Sequence, residues 1–259
     1  MRIRLTIEYD GTAYAGWQRQ ENALAVQQVI EDALSKLTQA KVVLSGASRT
    51  DAGVHALGQV AHFDTQSRIP ADKYAFALNT MLPPDVRIRR SETVPDSFHA
   101  RFSTMGKTYR YQITAAPHAG ALTRNTHAHV SYPLDVPLMA EEARSLIGTH
   151  DFAAFAASGS VVKDTVRTLY DTKLYRIGDE INLFVTGKGF LYNMVRIIAG
   201  TLIYVGIGKL EPGAFARAIA SKDRLDLGVT APAHGLTLME VYYDRARILE
   251  YTGLHELPE

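Results

Sequence analysis

The sequence has no cysteine, so disulfide bonds and thiolate metal sites are excluded. A chain without disulfides suits a reducing compartment, and we expect a cytoplasmic protein. Net charge is also nearly absent, at +1 over 259 residues. This balance argues against a protein that coats nucleic acid through bulk charge, but it is compatible with a local basic cleft.

Long apolar runs free of charge are missing as well. The N-terminus, Met1-Arg2-Ile3-Arg4-Leu5, lacks the apolar core of a signal peptide. The longest apolar stretch, residues 190–208, is interrupted by Arg196 and diluted by glycines. This composition predicts a buried helix rather than a membrane span, and we expect no membrane association.

The first hundred residues show a regular succession of strand and helix patterns. Hydrophobic residues make up 46% of the chain, which is enough for a packed core. The order is strand, helix, strand, strand, helix, strand. The corresponding segments are 2–10, 25–37, 42–44, 59–63, a helix from Pro70 that Pro83-Pro84 ends, and 86–90. This order is typical of the ferredoxin-like fold, an antiparallel sheet backed by two helices.

The remainder of the chain follows a similar order without a detectable sequence repeat. We predict a strand, a helix, a hairpin around Gly178-Asp179, two helices and a last strand, with residues 118–132 as a long loop. The segments are 105–114, 138–147, 174–177 with 181–185, 191–208, 212–220 and 236–243. The sequence therefore predicts an α+β protein with two ferredoxin-like halves, residues 1–103 and 104–259. Their antiparallel sheets are expected to join across a central catalytic cleft.

One loop combines reactive residue types between two apolar runs: Ser48-Arg49-Thr50-Asp51-Ala52-Gly53-Val54-His55. An aspartate there can be a nucleophile, a base, a metal ligand or a cap of the loop, and the cap is the commonest role. No other acidic residue occurs between Asp32 and Asp64, so neither a metal site nor a carboxylate pair is indicated. Arg49 is a neighbouring cation that would keep Asp51 ionised.

A second signal is an isolated charge in an apolar segment. Arg196 is the only charged residue between Lys188 and Lys209. A guanidinium inside an apolar helix needs an anion or several hydrogen-bond acceptors. The alternative is that its side chain extends to the edge of the helix and reaches water.

Two further stretches admit both a functional and a structural interpretation. The run Lys107-Thr108-Tyr109-Arg110-Tyr111 would place Lys107 and both tyrosines on one face of a strand. That arrangement suits base stacking and phosphate contact, although core tyrosines are more common. Residues 10–20 contain the only tryptophan, and they form either a binding loop or a surface loop fixed by Trp17.

Together these stretches resemble the tRNA pseudouridine synthase A family. The family has Gly-Arg-Thr-Asp-Ala-Gly-Val-His in the Asp51 loop, and Ser48 replaces its glycine. The other matches are Tyr9-Asp10-Gly11 with Gly16-Trp17-Gln18-Arg19-Gln20, the Lys107 to Tyr111 run, Val166-Arg167-Thr168, and Phe190-Leu191-Tyr192-Asn193-Met194-Val195-Arg196. The matches occur in the family's order and extend over nearly the whole chain.

The resemblance implies a homodimeric isomerase without cofactor or metal. Its substrate would be uridine at one or more of positions 38, 39 and 40 of the tRNA anticodon stem-loop. Asp51 would be the catalytic group, Tyr109 would pack on the target base, and Arg49 would occupy the vacated space or hold the adjacent phosphate. Arg196 would lie beside Asp51, and we predict a buried ion pair between them. Because net charge is small, we expect few phosphate contacts, among them Arg19, Arg49 and Lys107.

Two other classes of function remain open from the residues alone. A non-catalytic RNA-binding module with a ferredoxin-like fold usually carries an aromatic run such as Gly-Phe-Gly-Phe-Val, which is absent here. A hydrolase with an aspartate nucleophile would need a second acid and usually a metal site, and the sequence indicates neither. Mapping pseudouridine in treated tRNA distinguishes all three.

Overall fold

The computed structural model describes residues 1–156 and 164–258. Over these residues the chain is an α+β protein, as predicted. In chain order its elements are β1 (Arg2–Tyr9), α1 (Val26–Thr38), β2 (Ser45–Gly46), β3 (His55–Asp64), α2 (Tyr74–Asn79), β4 (Val86–Val94), β5 (Gly106–Ala115), β6 (Ala128–Val130), α3 (Val136–Arg144), β7 (Gly148–Asp151), β8 (Val166–Ile177), β9 (Glu180–Gly187), α4 (Met194–Gly206), α5 (Ala214–Ser221), β10 (Leu236–Tyr242) and α6 (Arg245–Thr252).

Contacts within the chain divide it into two compact units. The first contains Met1–Met105 and Thr237–Tyr243, and the second contains Gly106–Leu236 and Asp244–Glu259. Nearly all of β10 therefore belongs with the N-terminal residues, although we had placed this strand in the C-terminal half. The division into functional halves at residues 103 and 104 stays a prediction.

The first unit has a sheet with β1 at its centre. Every second side chain of β1 is buried, as its alternating sequence predicts. Antiparallel pairing gives the order β4, β1, β3, with β2 antiparallel to the far edge of β3. This is the strand order of the ferredoxin-like fold. Helix α1 buries Val26, Ile30, Ala33 and Leu34, the stripe that its helical spacing predicts.

The far edge of β3 is shared by two short partners. Strand β2 pairs with its C-terminal part through Ser45 and Gly46, whereas β10 runs parallel to its N-terminal part and pairs with His55 and Ala56. The strand predicted at residues 42–44 is wrong, because the ladder includes only Ser45–Gly46. Val42 and Leu44 are nevertheless buried, whereas Val43 between them is exposed, so the alternating pattern reflects burial on one side rather than strand pairing.

The segment that follows β4 is held against the first unit's sheet. The main-chain N–H of Ala100 donates to Nδ1 of the buried His62 at 3.1 Å. The hydroxyl of Tyr243 donates to the carbonyl oxygen of Ala100 at 2.7 Å. Two hydrogen bonds, one from β3 and one from the residue that follows β10, therefore fix this one residue.

The second unit has an antiparallel sheet in the order β5, β9, β8, β7, with β6 parallel to β5. The predicted hairpin is confirmed, and β8 and β9 meet at Gly178, whose φ is +58°. Strand β6 lies inside residues 118–132, so the prediction of an uninterrupted loop is wrong there. Helix α6 was not predicted at all.

Helices α3, α4 and α5 belong to the second unit. On α3 the buried Glu142 accepts hydrogen bonds from the N–H groups of Gly213 at 2.7 Å and Phe215 at 2.9 Å, at the first turn of α5. Helix α4 is shorter than the predicted 191–208 because its first turn begins only at Met194. None of the helices in the described ranges is long and apolar enough to cross a membrane.

Candidate active site

The Asp51 loop connects β2 with β3 in the first unit. The carbonyl oxygen of Asp51 accepts a hydrogen bond from the N–H of Val54 at 3.1 Å, which closes a tight turn. Gly53 occupies the third position of that turn with a φ of +78°, a left-handed conformation that favours glycine. Asp51 is half-buried, and Arg49 is exposed two residues earlier. The loop therefore presents Asp51 from a fixed turn, with the exposed Arg49 two residues before it.

Ser48 fits where the family has glycine. Only Gln39, Asn193 and Lys222 have positive φ among the described non-glycine residues, so the backbone of Ser48 lies in a region that serine adopts readily. Its main chain meets the side-chain amide of Gln59. That amide donates to the carbonyl oxygen of Ser48 at 2.7 Å and accepts from its N–H at 3.2 Å.

Residues 10–20, which we call the tryptophan loop, pack against the Asp51 loop from the other side. The N–H of Trp17 donates to the carbonyl oxygen of Thr50 at 3.1 Å, and the N–H of Gly53 donates to that of Tyr14 at 3.3 Å. The hydroxyl of Thr50 lies 2.7 Å from that of Tyr9. Trp17 is buried. Trp17 therefore has a structural role, as one of the two alternatives predicts. It fixes the tryptophan loop against the Asp51 loop.

The contact between the two loops depends on Gly11. A Cβ atom at Gly11 would lie 2.0 Å from the carbonyl oxygen of Val54, a distance that no side chain tolerates. The N–H of Gly11 also donates to Nδ1 of His55 at 3.0 Å. The Tyr9-Asp10-Gly11 motif thus brings the main chain of Gly11 against that of Val54, the last residue of the turn that begins at Asp51.

Two ionisable groups of the tryptophan loop are perturbed by their surroundings. Burial and the hydrogen bond to Asp85 raise the pKa of Tyr14, so its hydroxyl remains a donor. Burial alone would raise the pKa of Asp10, but hydrogen bonds from the hydroxyl and N–H of Thr12 lower it overall. Both effects keep the hydrogen bonds at the base of the loop in place at neutral pH.

Arg19 extends from the tryptophan loop towards α1. Its Nη1 lies 3.1 Å from a carboxylate oxygen of Glu31 and 3.3 Å from one of Asp32. Glu31 is buried and also accepts from the N–H of Leu44 at 2.9 Å. The first task of Arg19 is therefore to compensate a buried carboxylate, which the sequence pattern did not indicate.

In the second unit, Tyr109 and Tyr111 have different environments. Tyr109 is mostly buried, and its ring meets that of Phe190 edge-on with centroids 5.2 Å apart. Tyr111 is fully buried and donates to the carbonyl oxygen of Pro232 at 2.9 Å. Tyr111 is therefore a core residue, which is the structural alternative for this run. The contact with Phe190 brings the Lys107 to Tyr111 run together with the start of the Phe190 to Arg196 motif.

Arg196 lies in the first turn of α4 and is half-buried. Its Nε donates to the carbonyl oxygen of Ala231 at 2.8 Å, and its Nη1 donates to Oδ1 of Asn193 at 2.7 Å. Its own carbonyl oxygen accepts from the N–H of Ala231 at 3.1 Å. Several acceptors thus hold the guanidinium in one orientation. The predicted ion pair with Asp51 stays a prediction.

Comparison with known proteins places these features in a family. The family model described as tRNA pseudouridine synthase matches residues 5–103 and 143–244, which include Arg49, Asp51 and Arg196 but not Tyr109. The chain is 55% identical to tRNA pseudouridine synthase A of Ruminiclostridium cellulolyticum over 93% of its own length and 99% of that protein.

Two further relatives carry the same name. The protein of Acetivibrio thermocellus is 52% identical over 93% of this chain and 99% of the relative. The protein of Bacillus subtilis is 48% identical over 94% of this chain and 100% of the relative. The family model and these relatives identify a pseudouridine synthase, which is an isomerase. The chain belongs to the tRNA pseudouridine synthase family.

Proposed function

We propose that this protein converts uridine to pseudouridine at positions 38, 39 and 40 of the tRNA anticodon stem-loop, with Asp51 as the catalytic group. The observation that carries the proposal is the Asp51 loop itself. Its half-buried carboxylate stands on a turn whose Gly53 bonds to the tryptophan loop, and the start of the loop, at Ser48, bonds to the side chain of Gln59. Such fixation suits a group that must meet one atom of a substrate.

The reaction rearranges the uridine itself, so it requires accurate positioning of the nucleotide rather than a second substrate. The glycosidic bond between N1 and the sugar breaks, the uracil turns, and a bond between C5 and the sugar forms, while C5 loses one proton and N1 takes one up. Nothing is oxidised, reduced or hydrolysed, so the atoms balance without a cofactor or a metal. Asp51 would start the reaction, either by attack on the sugar or by removal of a sugar proton.

Three other residues would assist Asp51, two of them at the extruded nucleotide, because a base paired in a stem must leave it before it can react. Tyr109, whose ring is oriented by Phe190, would pack on the free uracil and retain it during rotation. Arg49, which is exposed, would fill the vacated space or hold the neighbouring phosphate. Arg196 would keep a carboxylate ionised, since a cation in the first turn of a helix is disfavoured unless an anion lies close.

The family resemblance also supports a homodimer that acts in the cytoplasm. Light scattering at the concentrations used for activity measures the mass directly. A monomer with full activity would contradict the homodimer but leave the reaction untouched.

The decisive experiment maps pseudouridine in unmodified tRNA transcripts after incubation with the purified protein. We expect modification confined to positions 38, 39 and 40. Release of free uracil without pseudouridine would instead identify a hydrolase. Tight tRNA binding without any change in the RNA would identify a binding module.

A further inference from the structure

The chain leaves the first unit's sheet immediately before the Asp51 loop. Strand β2 pairs with β3 through Ser45 opposite His62 and Gly46 opposite Ala61. The N–H of Ala47 then donates to the carbonyl oxygen of Val60 at 2.7 Å. Continuing this register places Ser48 opposite Gln59. At that position, beyond the end of β2, the side-chain amide of Gln59 meets the main chain of Ser48.

This amide offers Ser48 the hydrogen bonds that a strand would offer. Its NH₂ donates to the carbonyl oxygen of Ser48, and its oxygen accepts from the N–H of Ser48 and, at 3.2 Å, from that of Val60. Gln59 has no exposed surface, so water does not replace a lost partner readily. Because β3 pairs with β1 along its other edge, the amide is carried by a strand that is fixed within the sheet.

Gln59 and Tyr9 hold the residues on the two sides of Arg49, Gln59 through main chain and Tyr9 through a side chain. Gln59 holds Ser48, and the hydroxyl of Tyr9 holds that of Thr50, one residue before Asp51. We propose that Gln59 is a positioning residue for the reaction, because its amide substitutes for a strand and sets the direction in which Asp51 is presented. This inference rests on the proposed function of Asp51.

The first test compares two glutamine-to-methionine substitutions. Gln59→Met keeps the length of the side chain but removes both hydrogen bonds to Ser48. We expect the single-turnover rate on unmodified tRNA to fall about 100-fold, with the dissociation constant for tRNA close to that of the parent. The matched control is Gln112→Met. Gln112 is also buried, but its amide bonds to His127 in the second unit at 3.1 Å.

The control separates positioning from general stability. Gln112→Met should lower the melting temperature while the single-turnover rate stays near that of the parent. A parent-like rate for Gln59→Met overturns the proposal. So does an equal loss of rate in both variants, because then the effect would follow stability rather than the Asp51 loop.

The second test uses Gln59→Glu and keeps the proposal falsifiable if Gln59→Met does not fold. A protonated carboxyl at this position can donate to the carbonyl oxygen of Ser48 and accept from its N–H, as the amide does. An ionised carboxylate can only accept, and it places a negative charge against that carbonyl. Burial favours the protonated form.

The measured quantity is the rate of Gln59→Glu divided by the rate of the parent, because groups common to both proteins cancel in this ratio. It should increase as the pH is lowered from about 8 to about 5.5. A ratio that does not change with pH overturns the positioning role. If the parent itself makes no pseudouridine, the proposed function fails instead, so the two failures are distinguishable.

Discussion

At the scale of single residues, Asp51 is the group on which the proposed chemistry depends. Asp51→Asn keeps the size and one oxygen of the side chain but removes its charge. The single-turnover rate should fall by about 10⁴-fold or more, as expected when a reacting group is lost. The melting temperature and tRNA affinity should change little. Asp72→Asn is a matched control, because Asp72 is exposed and its ion pair is with its neighbour Lys73, at 3.1 Å.

Arg49 provides a test of how the protein holds RNA. Arg49→Gln should lower the salt slope of tRNA affinity by about one unit if the side chain contacts one phosphate. Arg19, which we also expected at a phosphate, is a poor probe because it compensates the buried Glu31. Arg19→Gln should lower the melting temperature as well as the affinity. An unchanged slope for Arg49→Gln would place the RNA surface elsewhere.

The residues of the Asp51 loop were predictable because short-range chemistry determines them. Gly53 is required by its left-handed backbone, and the turn it forms involves only residues 51–54. Gln59 was not predictable. Its function follows from the register between β2 and β3 and from the point at which β2 ends, and neither is written in the local pattern. The one hint of this role in the sequence was a glutamine among the apolar residues of β3.

At the scale of elements, the start of α5 depends on a carboxylate from another helix. Glu142 on α3 accepts two main-chain N–H groups in the first turn of α5, which also complements the helix dipole. Glu142→Ala should lower the free energy of unfolding by about 2–3 kcal/mol, because one buried and one partly buried N–H group lose their acceptor. Denaturant unfolding measures this loss.

Two further variants sharpen that prediction. Glu142→Gln should cost less, because its carbonyl oxygen still accepts one N–H. The exposed neighbour Glu141 serves as the control, and Glu141→Ala should change the free energy of unfolding by less than about 0.5 kcal/mol. Equal losses for Glu141→Ala and Glu142→Ala would mean that helix propensity rather than the cap is responsible.

The positions of helices and strands were predicted better than the pairing of the strands. The periodicity of β1 and α1 identified both correctly, because burial on one face imposes it directly. Strand β2 was misplaced because Val42 and Leu44 are buried without joining the ladder. Strand β6 has only three residues, too few for an alternating pattern to stand out. Its pairing with β5 lies outside the local sequence.

At the scale of the whole molecule, acid sensitivity should include a contribution from His62. Burial, followed by the charges of Arg2 and His99, lowers the pKa of this imidazole in the folded protein. Its Nδ1 accepts the N–H of Ala100 and would lose that bond on protonation. The unfolded chain therefore binds the proton first. Stability falls as the pH drops below the ordinary histidine pKa of about 6.5, until the folded pKa is reached.

The variant His62→Asn tests this contribution. Its Oδ1 can accept the same N–H but does not titrate in this range. Loss of the ring lowers stability at every pH, but the decrease in melting temperature from about pH 7 to about pH 5 should be smaller than in the parent. His118→Asn is the control, since His118 is exposed. Parallel curves for parent and His62→Asn would contradict the assignment.

The grouping of β10 with the N-terminal residues has a consequence for how the protein is made. On the ribosome, residues 1–105 are complete long before residue 237 is synthesised. At about 5–20 residues per second, the delay is on the order of ten seconds. During that interval the edge of β3 at His55 and Ala56 lacks the strand that pairs with it, directly after the Asp51 loop. The nascent chain therefore carries an open strand edge, which is prone to pair with other chains, until its C-terminal strand arrives to close it.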